Sequence, residues 1–458
     1  MIEDARIQCL NDDPPHDGGE YVLYWMQQSQ RAKFNHALEH AARIANECGL
    51  PLVVGFGLTE KYPEANERHF AFMLEGLAET ERELRTRRIR MVVRRGPPPE
   101  AALELGKRAT VIVCDRGYLR HQRRWRKDVA RKAGRQVIQV EGDAVVPVEV
   151  ASDKAEFAAR TIRPRLERQR GAFLRGMSES RLQRSSLGLE LPDGMDISDP
   201  EKVLKRLKLD RSVARVEWLR GGTGEARARL RRFLSGALEG YHDARNDPVS
   251  PRCSTLAPYL HFGQISPIEV ARKVTTAKTP SKADKEAFLE ELIVRRELAI
   301  NHVYFRRNYD RYETLPDWAR KSLAKHKRDK RPHRYARKSF ELSKTHDDYW
   351  NAAMTEMRIT GYLHNHLRMY WGKKILEWSS TPESAFKTAL YLNNKYFLDG
   401  RDPSSYANVA WIFGLHDRPW QERKIFGKVR YMNAQGLERK FDVEAYVEAV
   451  RERALKES

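Results

Sequence analysis

Three oxidisable rings, Trp350, Trp371 and Trp378, crowd one stretch of the chain, the last two in HLRMYWGKKILEW (366–378). Seven residues span two turns of an α-helix, about 10.5 Å of rise, so Trp371 and Trp378 share a helix face. Indoles at that spacing ordinarily pack a core. Next to a chromophore that withdraws electrons, the same spacing is a path for electron transfer. The pattern alone favours the core.

Three further stretches carry groups that could do chemistry. In RNDPVSPRCSTLAPYLHFGQISP (245–267), Ser254 and Thr255 precede a helix candidate with Pro258 in its first turn. Hydroxyls and free N–H groups at a helix start cap the helix or hold a phosphate. EELIVRREL (290–298) places two acids beside a paired Arg-Arg. The block LNNKYFLDGRDPSSYANVAWIFGLHDRPWQERKIFGKVRYMN (392–433) is dense in Asn, Asp, Arg and Trp, and loops of that composition often build sites.

The chain has 458 residues and a net charge of +21. That length suggests more than one domain. The charge favours a polyanionic partner, most simply nucleic acid. Nine Lys/Arg and one acid lie between Arg116 and Arg135, and ten and one between Arg320 and Lys338. Both clusters are candidates for phosphate contact, against the plainer reading of solvated surface. No run of eighteen apolar residues is present, so no membrane span is expected. The four cysteines (Cys9, Cys48, Cys114 and Cys253) are scattered without metal-like spacing, and the first residues lack a secretory pattern. The expectation is a cytoplasmic, reduced protein without a structural metal.

The elements that must position these groups divide in two. EYVLYWMQ (20–27), LPLVVGFGL (50–58), IRMVVRRG (89–96), TVIVCD (110–115) and RQVIQVEGD (135–143) read as strands, with helical segments between them. That alternation predicts a doubly wound α/β domain with a parallel sheet over about 20–150. It contains no G-x-G-x-x-G and no Walker A sequence. Residues 151–225 read as a connecting segment, and 226–458 as an all-α domain.

Taken together these blocks resemble the photolyase/cryptochrome family, and more narrowly the class II cyclobutane pyrimidine dimer photolyases. YVLYWMQQSQRAKFNHALEHA, STLAPYLHFGQISP, EELIVRREL, RMYWGKKILEW and the block ending FGKVRYMN carry the likeness, in order, from about residue 20 to about 445. The resemblance implies an α/β antenna domain and an all-helical domain holding FAD. It also implies light-driven splitting of dimers in UV-damaged DNA by a monomer, through electron transfer to a flipped-out lesion. Flipping the target out of the stack is general to enzymes that do chemistry on bases, photolyases among them. The antenna stays open between 8-hydroxy-5-deazaflavin, a folate and none. The alternative is a cryptochrome-like flavin photoreceptor without repair activity.

Residue by residue, the resemblance assigns Ser254, Thr255 and Leu256, with Tyr241 nearby, to the FAD phosphates. Arg368 and Asp399 would form a salt bridge beside the flavin, and Asp399, Gly400 and Arg401 would line its ring. Asn393 would face flavin N5, with Asn408 as rival. Glu291, or its neighbour Glu290, would hydrogen-bond the lesion, Met369 and Trp411 would pack on it, and Arg245 and Asn246 would lie near its strand. Trp371, Trp350 and Trp378 would be the proximal, intermediate and distal members of an electron path. The chain departs from the family pattern G-K-M-H-G-F/Y-M-R-M-Y-W, reading GYLHNHLRMYW with changes at Tyr362, Leu363, Asn365, His366 and Leu367. Ile412 stands where the family often has Cys.

Overall fold

The computed structural model describes residues 2–249 and 252–457. Six strands form one sheet: β1 Ile7–Cys9, β2 Tyr21–Trp25, β3 Leu52–Leu58, β4 Arg90–Arg95, β5 Ala109–Asp115 and β6 Val137–Val140, in the order β1-β6-β5-β2-β3-β4. β2 to β6 are mutually parallel. Strands β2, β3, β5 and β6 are buried along their whole length, as apolar β-branched runs between two helical layers must be. Helices His36–Glu47, Glu67–Thr86, Pro98–Gly106 and Arg120–Lys132 supply those layers. The five expected strands are present. The sixth, β1, was not expected: it is three residues long and pairs antiparallel with β6 at the sheet edge, so it leaves almost no periodic signal.

The strand order reverses between β2 and β5, which makes that junction the switch point of the sheet. Asp115, at the end of β5, accepts backbone N–H bonds there from Gln27 (2.9 Å), Gln28 (2.8 Å) and Ser29 (2.9 Å). It also accepts from Arg126 at 2.6 Å. A cavity of about 620 Å³ opens beyond, between Gln27, Phe56, Tyr62, Trp125, His69 and Arg401.

Residues 151–225 do more than connect. They include helices Ala159–Phe173 and Pro200–Arg206, and Leu182, Ile197, Val203 and Leu204 complete the core beside the outer strand β4. From Thr223 onward the chain is helical, apart from one isolated antiparallel bridge between Arg423 and Gly427. Among the described residues no helix is long and apolar enough to cross a membrane.

The two halves are joined through buried polar groups. The Arg31 guanidinium donates to Asp143 (2.8 Å) and to the Gly263 carbonyl (2.8 Å). Gly263 has φ +66°, and a Cβ there would sit 2.0 Å from the Gln28 carbonyl oxygen, so only glycine lets these loops meet. A second junction lies at the C-terminal end of helix Pro382–Tyr396, whose last carbonyls have no partner within the helix. Asn66 donates to Lys395 O (2.7 Å), Arg68 to Tyr396 O (2.7 Å) and Arg401 to Asn394 O (2.7 Å). His69 Nδ1 accepts from Asn66 N–H, which leaves Nε2 to donate to Phe397 O at 3.0 Å.

Replacing Arg68 with Ala strips donors from several buried carbonyls at once. The expected loss is about 3 kcal/mol or more, read as a lowered urea midpoint. A change under about 0.5 kcal/mol would show that the junction carries little of the stability.

Candidate functional site

Four segments converge on a cavity of about 1170 Å³ in the helical half. Helix Asn365–Trp378 contributes Asn365, Arg368, Met369 and Trp371; Arg368 and Met369 follow Asn365 by three and four residues and Trp371 follows Arg368 by three, as one helical face requires. Helix Pro382–Tyr396 contributes Asn393 near its end, and helix Pro403–Ile412 contributes Ser404, Asn408 and Trp411. The fourth segment, Glu290–Arg295, is wound as a π-helix, a rare turn that re-aims side chains and recurs at functional sites. It sends Glu291 to the cavity. Glu290 turns the other way and is held by Arg163 (2.7 Å) and Arg295 (2.9 Å).

The electrostatics of the wall are balanced in pairs. Arg368 lies 3.1 Å from Asp399, and its guanidinium stacks 3.7 Å from the Phe397 ring centroid. Arg245 donates to Glu291 at 2.7 Å. Asn393 is buried and donates to Asn394 Oδ1 at 3.0 Å, whereas Asn408 is exposed. Gly400 sits where a Cβ would meet the carbonyl oxygens of Phe397, Asn394 and Asn393 within 3.0 Å, so the turn that carries Asp399 tolerates no side chain there.

The three tryptophans run inward from Trp378 to this wall. Trp378 and Trp350 pack with centroids 6.0 Å apart. Trp350 Nε1 donates to the Trp371 backbone oxygen at 2.9 Å, and Trp371 itself lines the cavity. All three are at most 3% exposed. Beyond Trp378 stand Tyr335 (5.9 Å) and His346 (4.9 Å), joined by a 2.9 Å hydrogen bond.

Other expected residues lie elsewhere. Arg401 does not line this cavity. Its backbone has φ +68°, and its guanidinium donates to Asn394 O of its own half, lies 3.0 Å from His69 Nε2 of the α/β half and borders the switch-point cavity. Thr255 (φ +52°) faces a second cavity of about 1260 Å³ with Cys253, Tyr362 and Tyr446, and its hydroxyl accepts from Arg229 at 3.2 Å. Ser254 is half-buried, and Leu256 is buried ahead of the short helix Ala257–His261. Tyr241 packs between Phe233 (5.8 Å) and Phe288 (5.6 Å), and Asn246 is exposed.

The departing stretch is mostly structural. His364 caps helix Asn365–Trp378 and bonds the Arg245 carbonyl at 3.0 Å. Leu363 and Leu367 are core, and His366 is buried against Phe441. Of the five altered positions only Asn365 lines the cavity.

Two features escaped the sequence reading. Ser404 and His416 line the cavity without an informative spacing. Lys373 is fully buried, donates to the Ile412 carbonyl and lies 5.1 Å from the Trp411 ring centroid. Burial lowers its ammonium to about 7. Beside Lys374 in the sequence it reads as ordinary surface charge.

The basic clusters are partly consumed inside the protein. Arg116 pairs with Glu141 and Glu149, Arg126 with Asp115, and Arg120 with Asp310. In the second cluster Lys325 pairs with Glu422 and Lys327 with Glu383. Lys321, Arg328, Lys330, Arg334 and Lys338 are exposed and have no ion pair among the described residues.

The donor set fits a flavin dinucleotide. A buried amide offers both donor and acceptor, a carboxylate-balanced guanidinium lines the same cavity, and Arg229 with the Thr255 hydroxyl suits a diphosphate.

Known proteins match the chain along its length. The family model described as DNA photolyase matches residues 22–184. A deoxyribodipyrimidine photo-lyase of Methanothermobacter thermautotrophicus is 45% identical over 452 residues, 98% of this chain and 99% of that one. One from Oryza sativa subsp. japonica is 40% identical, over 98% of this chain and 90% of its own. Among solved structures, a class III photolyase from Agrobacterium tumefaciens superposes with a TM-score of 0.73 at 18% identity, over 94% of this chain and 86% of that one. At that identity the likeness is one of fold.

Asp399→Ala leaves the Arg368 guanidinium without its counter-charge. The variant is expected to lose about 2–4 kcal/mol of stability, and Arg368→Met added to it should recover part of the loss, both read from unfolding midpoints. Strictly additive losses would show that the two groups do not act as a pair.

Proposed function

We infer the reaction from one premise: the chain belongs to the DNA photolyase family. It is a deoxyribodipyrimidine photo-lyase, a FAD flavoprotein of light-dependent DNA repair. More narrowly, we propose that it is of the class II form and splits cyclobutane pyrimidine dimers flipped out of the duplex. One observation carries this reading. Glu291, Met369 and Trp411, suited to a splayed pyrimidine pair, share a cavity with Asn393, Arg368 and Trp371, suited to a flavin.

In the proposed mechanism, FAD in its fully reduced form supplies, on illumination, the electron that opens the cyclobutane ring. The protein does the rest. Asn393 presents a buried amide to the flavin ring, and Arg368, neutralised by Asp399, lies beside it. Glu291, held by Arg245, offers a carboxylate to the base edge. Trp411 and Met369 give the lesion a flat and a polarisable surface. Trp378, Trp350 and Trp371 conduct an electron from the surface to the cavity wall, keeping the cofactor reduced. Arg229 and the Ser254–Leu256 turn, with Tyr241, would hold the diphosphate. Exposed, unpaired cations of the second basic cluster hold the DNA backbone. We propose the division into an antenna domain over 20–150, a connecting segment over 151–225 and a catalytic domain from 226. The switch-point cavity between the halves is the place for an antenna chromophore.

The deciding experiment is thymine restoration in dimer-bearing DNA by reduced protein, in blue light and in darkness. Light-dependent repair is expected. Bound FAD without repair would favour a photoreceptor. Glu291→Ala should cut repair about tenfold or more while FAD stays bound, because it removes a charge-assisted hydrogen bond to the lesion. Undiminished repair would move that role elsewhere.

Trp371→Phe should block photoreduction of oxidised protein yet leave repair intact after chemical reduction. Normal photoreduction would remove Trp371 from the path.

A further inference from the structure

Lys373 has no part in the reaction as derived so far, yet its position is costly. It is 0% exposed, and among the described residues it forms no ion pair. Its ammonium has one hydrogen-bond acceptor, the Ile412 carbonyl, and the face of Trp411 5.1 Å away. A buried ammonium without a carboxylate is disfavoured against a methionine of similar length, which would fill the same space without desolvating a charge. Packing alone therefore does not account for a lysine here. Its surroundings suggest what does. Lys373 lies one turn beyond Met369 on the same helix face. It is absent from the cavity lining, whereas Met369 and Trp411 both line it. The charge therefore stands directly behind the surface proposed to carry the lesion. Arg430 reaches the same ring at 5.8 Å and bridges to Trp420 at 5.0 Å, so two cations bear on Trp411.

We propose that Lys373 is a positioning residue for dimer splitting: its ammonium fixes Trp411 as the stacking platform and stabilises the electron that arrives on the stacked lesion. The inference rests on the lyase reading of the cavity. One electron enters the lesion and leaves again after the ring opens, and Lys373 keeps its protons throughout. A fixed positive charge in a site of low dielectric favours the charged state over the neutral one, with no reorganisation at the moment of transfer.

The charge is conditional on pH. Burial is the main cause that lowers the ammonium to about 7. Asp417 acts against that shift and Arg430 adds to it. On its own helix, Lys374 turns away to Glu377 and to the Tyr370 and Trp378 rings. The contribution is present below about pH 7 and fades as the ammonium loses its proton above it.

The test compares reduced holoenzyme with Lys373→Met and Lys373→Arg. For each, affinity for dimer-bearing DNA and splitting per absorbed photon at saturating DNA are measured from pH 6 to 9. The expected result for Lys373→Met is FAD retained, affinity within about threefold, splitting about fivefold lower, and the alkaline fall of the wild type abolished. Lys373→Arg should restore splitting and hold it at high pH, since guanidinium does not titrate there. Should Lys373→Met fail to retain FAD, Lys373→Arg and the wild-type profile decide: a flat wild-type profile overturns the proposal. Wild-type splitting in Lys373→Met, or a loss that Arg does not restore, also overturns it. Absence of light-driven splitting in the wild type would overturn the lyase reading itself, a failure separate from that of Lys373 alone.

Discussion

The last carbonyls of helix Pro382–Tyr396 are the constraint on which the site depends. A helix end leaves acceptors that its own backbone cannot satisfy, and here that end is buried between the two halves of the molecule. The α/β half supplies Asn66, Arg68 and His69 as donors, and Arg401 folds back to supply another. The turn that follows is thereby fixed. It carries Asp399, which sets Arg368, and it starts one residue beyond the helix that presents Asn393. Gly400 is crowded by the same carbonyls. The α/β half therefore does structural work for the cavity wall, whatever chromophore it carries.

A second consequence concerns the indoles. An electron path needs rings in close sequence and in one orientation, and it needs them dry. Core packing supplies both conditions. Trp350 and Trp371 belong to the same apolar cluster as Phe340, Phe386 and Phe397, and each indole N–H is satisfied, one by a backbone oxygen and one by the Met354 sulfur. The two readings of these residues are thus not alternatives. Rings packed as core are held in the geometry that conduction requires, and only Trp378 reaches toward the half-exposed Tyr335 and the exposed His346.

The sequence was most informative where a local rule applies. Alternating apolar runs located five strands, and the single helix that carries Trp371 and Trp378 followed from their seven-residue spacing. It was least informative where the partner is distant in the chain. Arg401 sits within the motif that carries Asp399, but a left-handed backbone and acceptors opposite the α/β half turn it out of the cavity. The π-helical turn that separates Glu290 from Glu291 has no signature in EELIVRREL, so the two acids could not be told apart before their surroundings were known. β1 is too short for periodicity, and its place is set by the free edge of β6. Lys373 shows the same limit: whether a lysine is solvated or buried depends on Trp411 and Ile412, far away in sequence.

Charge makes the case from the other direction. A net +21 points to DNA, but the sum does not say which cations are free. In the first basic cluster Arg116 and Arg126 sit at the sheet's end, pinned to Glu141 and Asp115, and Arg123 stacks 4.1 Å from the Tyr304 ring centroid. Arg116 and Arg123 join the halves through Tyr304, Arg126 is held within the α/β half, and all three are poor candidates for phosphate. The second cluster differs because several of its cations are exposed and have no ion pair among the described residues. The unpaired Lys321, Arg328, Lys330, Arg334 and Lys338 repel one another unless a polyanion lies near. The same logic applies to the altered residues before Arg368. Leu363, His366 and Leu367 are buried beside the helix start, so the departure from the family pattern reaches the cavity walls only at Asn365 and, in the cavity at Thr255, at Tyr362.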